Sequence, residues 1–184
     1  MVKDSAKAWA CLIGWFPNIP SDPHFLVTSE CDLRYNCIAW AMRLNDRWVC
    51  ESDDSSSWWP VKNSPSSGTR KALILAFQAV GFRVCPNGYF NRFYDVVALY
   101  YNPVTYEWTH AARVIAPGEY HSKVGAYWDI HHSGGDYLHN SGSDSDYGII
   151  YQYMRRPKVL RIYSLVLWIQ RLSVMFVNEI RCLL

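Results

Sequence analysis

Apolar residues recur at helical spacing in two stretches of the chain and alternate or cluster in short extended runs in six others. Ile38, Trp40, Ala41 and Leu44 follow Asn36 and predict a helix over about 36–44 with Asn36 as its cap. Leu73, Ala76, Phe77 and Val80 share one face of a second helix that Thr69 caps and Gly81 stops. Extended runs lie at 82–85, 96–101, 108–115, 120–124, 128–131 and 149–154, and the Pro117-Gly118 turn joins the third and fourth as a hairpin. Two helices followed by an antiparallel sheet predict an α+β domain with the first helix packed on the sheet.

Flanking segments read differently. Residues 1–30 contain Pro17, Pro20 and Pro23 and predict an irregular arm. The polar stretch 45–68 is a loop, with Trp58-Trp59-Pro60 either pinning it or lining a cleft. Residues 158–184 form a hydrophobic extension of helical character with a narrow polar stripe of Arg161, Ser164, Arg171 and Asn178. That extension is expected to bury itself against the body of the protein, against another subunit in an oligomer, or on a membrane surface. The domain proper is therefore expected over 31–157.

Composition narrows the function classes. Half of the 184 residues are hydrophobic, enough for one sizeable core. A net charge of +2, with no basic stripe in the body of the chain, argues against nucleic-acid binding. Six irregularly spaced cysteines without a recognisable secretory leader are expected of a reduced, cytoplasmic protein. There is no Cys-x-x-Cys, and the adjacent His131 and His132 would point to opposite strand faces, so neither a metal nor a cofactor is expected.

Cys37 and His110 carry the candidate chemistry. Cys37 falls in the first turn of the first helix, where unpaired backbone N–H groups favour thiolate and should lower its pKa. His110 lies on a predicted strand, in phase with Trp108, Ala112 and Val114. A cysteine is more often a buried small hydrophobe than a nucleophile, which is the structural alternative.

The run Tyr35-Asn36-Cys37-Ile38-Ala39-Trp40-Ala41 is followed by Trp58-Trp59-Pro60, Val97-Ala98-Leu99-Tyr100 and Thr109-His110-Ala111-Ala112-Arg113. Ser122-Lys123-Val124-Gly125, a segment starting Asp129-Ile130-His131, and Tyr147-Gly148 before Arg155-Arg156-Pro157 complete the pattern. In this order they resemble an uncharacterised bacterial-type family, over about residues 30 to 157. Trp128 departs from its pattern, which has an acidic residue there, and the extension lies outside it. At greater distance, the order of Cys on a helix and His on a later strand resembles the NlpC/P60 and papain-like cysteine peptidases and amidases. That resemblance implies a papain-like fold, a Cys37 nucleophile, a His110 base and a polar third residue on a following strand. Asp129 is the expected third member because a carboxylate stabilises imidazolium, with His131 the alternative and His121 and Ser122 nearer in sequence. Backbone N–H groups at the helix start, helped by Asn36 or Tyr35, would meet an oxyanion, and Trp40, Trp58 and Trp59 would line a substrate groove. The expected function is thiol hydrolysis of an amide or related acyl bond in a peptide or amide-bearing substrate. Deamidation or transglutamination by the same residues, and a non-catalytic interaction domain, are the alternatives.

Overall fold

The computed structural model describes residues 5–52, 56–62, 68–139 and 146–158. Its longest strands are β5 (Tyr94–Tyr101), β6 (Trp108–Ala116) and β9 (Ile149–Pro157). With β1 (Leu26–Val27), β4 (Arg83–Cys85), β7 (Glu119–Lys123) and β8 (Asp129–Ser133) they form a seven-stranded sheet in the order β1-β8-β7-β6-β5-β9-β4. Every pairing within it is antiparallel. A separate two-residue parallel pair joins β2 (Trp48–Val49) to β3 (Ser57–Trp58).

Among the described residues three α-helices accompany the sheet: α1 (Ser5–Trp15), α2 (Cys37–Met42) and α3 (Arg70–Ala79). The Asn36 side chain caps α2 by accepting from the Ala39 amide, and Thr69 caps α3 in the same way through Ala72. α2 stops after six residues because Arg43 turns left-handed (φ 65°) and its amide folds back on the Ala39 and Trp40 carbonyls. Strand alternation divides the core. Val97, Leu99, Ala111 and Met154 pack with α2 and α3, while Val96, Ala98, Tyr100, Ala112, Val114 and Tyr120 cluster apart from them.

The papain-like, NlpC/P60-like α+β arrangement expected from the sequence is corrected by this architecture. An antiparallel sheet of seven strands dominates, and the helices are pieces of 11, 6 and 10 residues rather than a nucleophile-bearing helical layer. Two further findings depart from the sequence reading. Ser5–Trp15 is helical, burying Ala8 and Leu12 with Phe16 beyond its end, where an irregular arm was expected. Leu26–Val27 extends the sheet edge by pairing with His131 and Ile130. The expected extension lies, from residue 159 onward, outside the described residues. No helix among the described residues is long and apolar enough to cross a membrane.

Candidate active site

β6 and β7 pair only from the turn as far as Arg113 and His121. Before Arg113 on β6 and after His121 on β7 the two strands have no paired register, and α2 lies across both strands. Cys37, the first residue of α2, is buried, and the backbone amide of Ala111 is directed at its sulfur. The thiol therefore meets β6 at the residue next to His110. Among the described residues no hydrogen bond joins Cys37 to His110 itself.

His110 is fully buried, and its ring is held on three sides. The Tyr147 ring stacks on it with centroids 4.0 Å apart and planes 6° from parallel, and Tyr100 meets it edge-on at 5.3 Å. Its Nε2 lies 2.9 Å from Ser122 Oγ, which lies 2.7 Å from His132 Nε2. His132 Nδ1 is 2.5 Å from the Ser133 carbonyl oxygen.

One end of this relay fixes the proton positions of the rest. The Ser133 carbonyl can only accept, so His132 Nδ1 carries the proton. Burial holds the His132 pKa down at about 4, so the ring is neutral at pH 7 and its Nε2 accepts from the Ser122 hydroxyl. The Ser122 oxygen then accepts from His110 Nε2–H. Burial, with His132 nearby, keeps the His110 pKa well below the ordinary imidazole value. His110 is therefore neutral, and its second nitrogen, Nδ1, is a bare acceptor that is buried and has no hydrogen-bond partner among the described residues.

The thiol differs from its expected state. The helix start, the Ala111 amide and Lys123 all favour thiolate, but burial outweighs them and pushes the Cys37 pKa up to about 11. At rest the site holds a neutral thiol and a neutral imidazole.

Asp129 sits elsewhere. Tyr35 donates to its Oδ2 at 3.3 Å, and Lys123 Nζ stands 3.8 Å from its Oδ1. Lys123 is fully buried, donates to the Tyr127 carbonyl at 2.5 Å and lies over the Tyr35 ring. Burial raises the Asp129 pKa and lowers that of Lys123, outweighing their mutual attraction, so both shift towards their neutral forms. His131 pairs with Glu119 at 2.8 Å, and His121 with the Thr28 hydroxyl at 2.6 Å. The structure thus brings Ser122 and His132 to His110, and neither Asp129 nor His131.

The expected positioning residues are also committed. Asn36 accepts from the Ala39 amide through Oδ1 and donates through Nδ2 to the Val49 carbonyl at 2.7 Å, which uses one of its two N–H groups. Tyr35 spends its hydroxyl proton on Asp129. Trp40 is buried between Arg113, 3.7 Å from its ring centroid, Tyr35 and the edge of His121, so it is packing rather than a groove wall. Trp58 lies under Arg47 and Trp59 stacks on Trp108, both against the core of α2 and α3.

Sequence reasoning missed His132 and Tyr147. Ser122 and His132 lie in phase with Tyr120, which pairs with Val114 across the hairpin, so they share the side of the sheet to which His110 belongs. His132 directly follows the Asp129-Ile130-His131 run. Tyr147 belongs to the Tyr147-Gly148 run of the family pattern, but its place beside His110 depends on the return from β8 to β9, which no local period encodes.

A family model matches residues 26–155, described as a domain of unknown function, DUF7689. The chain belongs to the DUF7689 family. The matched span includes Cys37, His110, Ser122, His132 and Tyr147. α1 lies before that span. No curated protein and no solved structure matches the chain. Among the described residues of this DUF7689 member, no cluster of three or more His, Cys, Asp or Glu could hold a metal ion.

Proposed function

We propose that the protein is a thiol hydrolase acting on an amide or related acyl bond, with Cys37 as nucleophile and His110 as general base. The observation that carries this reading is the bare Nδ1 of His110, buried without a partner among the described residues while the Ser122–His132 relay fixes its other nitrogen. A buried imidazole held only for packing would cost stability by leaving that lone pair unsatisfied, about 1–3 kcal/mol. The resemblance of the Cys and His order to NlpC/P60 and papain-like enzymes supports the chemistry.

In this reaction the Cys37 S–H proton passes to His110 Nδ1 as sulfur attacks the acyl carbon. A carbon–sulfur bond forms and the carbonyl π pair moves to oxygen. The oxyanion collapses, the bond to the leaving group breaks, and His110 returns the proton to that group. Water, deprotonated by His110, then attacks the thioester, and the displaced sulfur regains its proton. Because the pair rests neutral, the proton moves during attack and no thiolate is stored beforehand.

Incubation of the full chain with p-nitrophenyl acetate, with acetyl groups mapped by mass spectrometry, tests the reading. Cys37 should be acetylated with release of p-nitrophenolate, and His110→Ala should slow this by ~10²-fold or more. Acetylation confined to exposed positions such as Cys31, and indifferent to His110→Ala, would contradict it. A second reading, a binding domain in which Cys37 is packing, is favoured by the burial of the thiol and its pKa near 11, and it predicts that second result.

A further inference from the structure

We propose that Tyr147 is the side-chain donor of the oxyanion site, its phenolic O–H meeting the developing negative oxygen of an acyl group attached to Cys37. This rests on the thiol-hydrolase reading above and adds a residue to it. Of the two side chains nearest to Cys37 in sequence with suitable donors, Tyr35 directs its only proton to Asp129, and the Asn36 amide is anchored by its bonds to Val49 and Ala39. Tyr147 has not. Its oxygen faces the Gly125 backbone amide, which can only donate, so the phenolic proton points away from Gly125. The Cys37 thiol lies within electrostatic range, so that negative charge on one would oppose negative charge on the other.

The geometry is preorganised in the way oxyanion stabilisation requires. The Tyr147 ring is fixed by its stack on His110 and by Phe16, whose centroid lies 5.1 Å away. Its backbone is fixed at both ends: Thr109 Oγ1 donates to its carbonyl at 2.6 Å, and its amide donates to the Leu138 carbonyl at 3.2 Å. On either side, Asp146 accepts from the Gly148 amide at 2.7 Å, and Gly148 adopts φ +67°. One ring therefore covers the base and carries a phenolic donor within electrostatic range of the nucleophile. Burial raises the phenol pKa, so the hydroxyl remains a proton donor.

Two reagents separate this role from packing. p-Nitrophenyl acetate acylates a thiol through a tetrahedral oxyanion, whereas iodoacetamide alkylates it by direct displacement at carbon with no oxyanion. In Tyr147→Phe, which keeps the ring, acetylation of Cys37 should fall ~10²-fold while its alkylation by iodoacetamide stays within about twofold. Equal loss of both reactions, or unchanged acetylation, overturns the assignment. Should Tyr147→Phe fail to fold by near-UV circular dichroism, 3-fluorotyrosine at position 147, a stronger donor, carries the test. It should raise the acetylation rate, and an unchanged rate overturns the proposal. If wild-type Cys37 is not acetylated at all, the thiol-hydrolase reading fails and the Tyr147 role falls with it. Acetylation that depends on His110 but not on Tyr147 overturns the Tyr147 role alone.

Discussion

Replacing Ser122 with alanine would leave His110 Nε2 and His132 Nε2 facing each other without the hydroxyl that now joins them at 2.9 and 2.7 Å. Both nitrogens are deep in the protein, so stability should drop by ~2–4 kcal/mol, each unsatisfied group costing about 1–3. The Nε2–H tautomer of His110 would lose its acceptor, and acetylation of Cys37 should slow as well. Urea unfolding together with the acetylation assay checks both effects, and an unchanged midpoint would show that the relay is not holding the imidazoles. At this scale the placement of Cys37 at a helix start and of His110 on a strand was legible, because both follow from local patterns. The partner of His110 was not, because a carboxylate has the more familiar chemistry but Tyr35 and Lys123 engage it. Likewise a low thiol pKa follows from the helix start alone. Only the packed structure contains the burial that reverses it.

Gly148 controls how closely the segment carrying Tyr147 approaches β5. A Cβ there would lie 2.0 Å from the Tyr101 carbonyl oxygen, and φ of +67° strains any L side chain. Gly148→Ala should cost ~2 kcal/mol or more, since the blocking atom is backbone. It should also slow Cys37 acetylation by displacing Tyr147. A melting temperature within a degree of wild type would contradict this. The elements themselves were largely legible: Asn36 and Thr69 cap the two expected helices, and the Pro117-Gly118 hairpin and six strand runs fall close to the observed ones. α1 was not, since the prolines at 17, 20 and 23 drew the whole arm into one irregular reading although Ala8, Leu12 and Phe16 repeat every four residues. A two-residue strand such as β1 has no period of its own and exists because β8 offers it an edge.

For the molecule as a whole, three buried or half-buried imidazoles set the acid limit of stability. His110 is held well below 6.5 by burial and by His132, while burial takes His132 and His121 to about 4. The unfolded chain protonates all three near pH 6.5, whereas the folded chain keeps them neutral, so the stability they contribute is present above that pH and lost as pH falls towards 4. Each imidazole adds up to ~1.4 kcal/mol per pH unit to the slope. Urea midpoints at pH 7 and pH 5 should therefore differ clearly, and equal midpoints would mean that the imidazoles are solvated. The thiol acts at the other limit. Cys37 keeps its proton to about 11, so stability declines as pH rises above the ordinary thiol value near 9. The sheet order that assembles the relay was not legible, because it depends on β9 returning between β4 and β5.

These expectations converge on one nitrogen. The ¹⁵N signals of His110 in the full chain, assigned by comparison with His110→Ala, report which ring nitrogen carries the proton. The ring should be neutral and protonated at Nε2, with Nδ1 bare, from pH 8 down to pH 6. A ring protonated at Nδ1, or an imidazolium already formed at pH 6, would contradict it and remove the base from the proposed reaction.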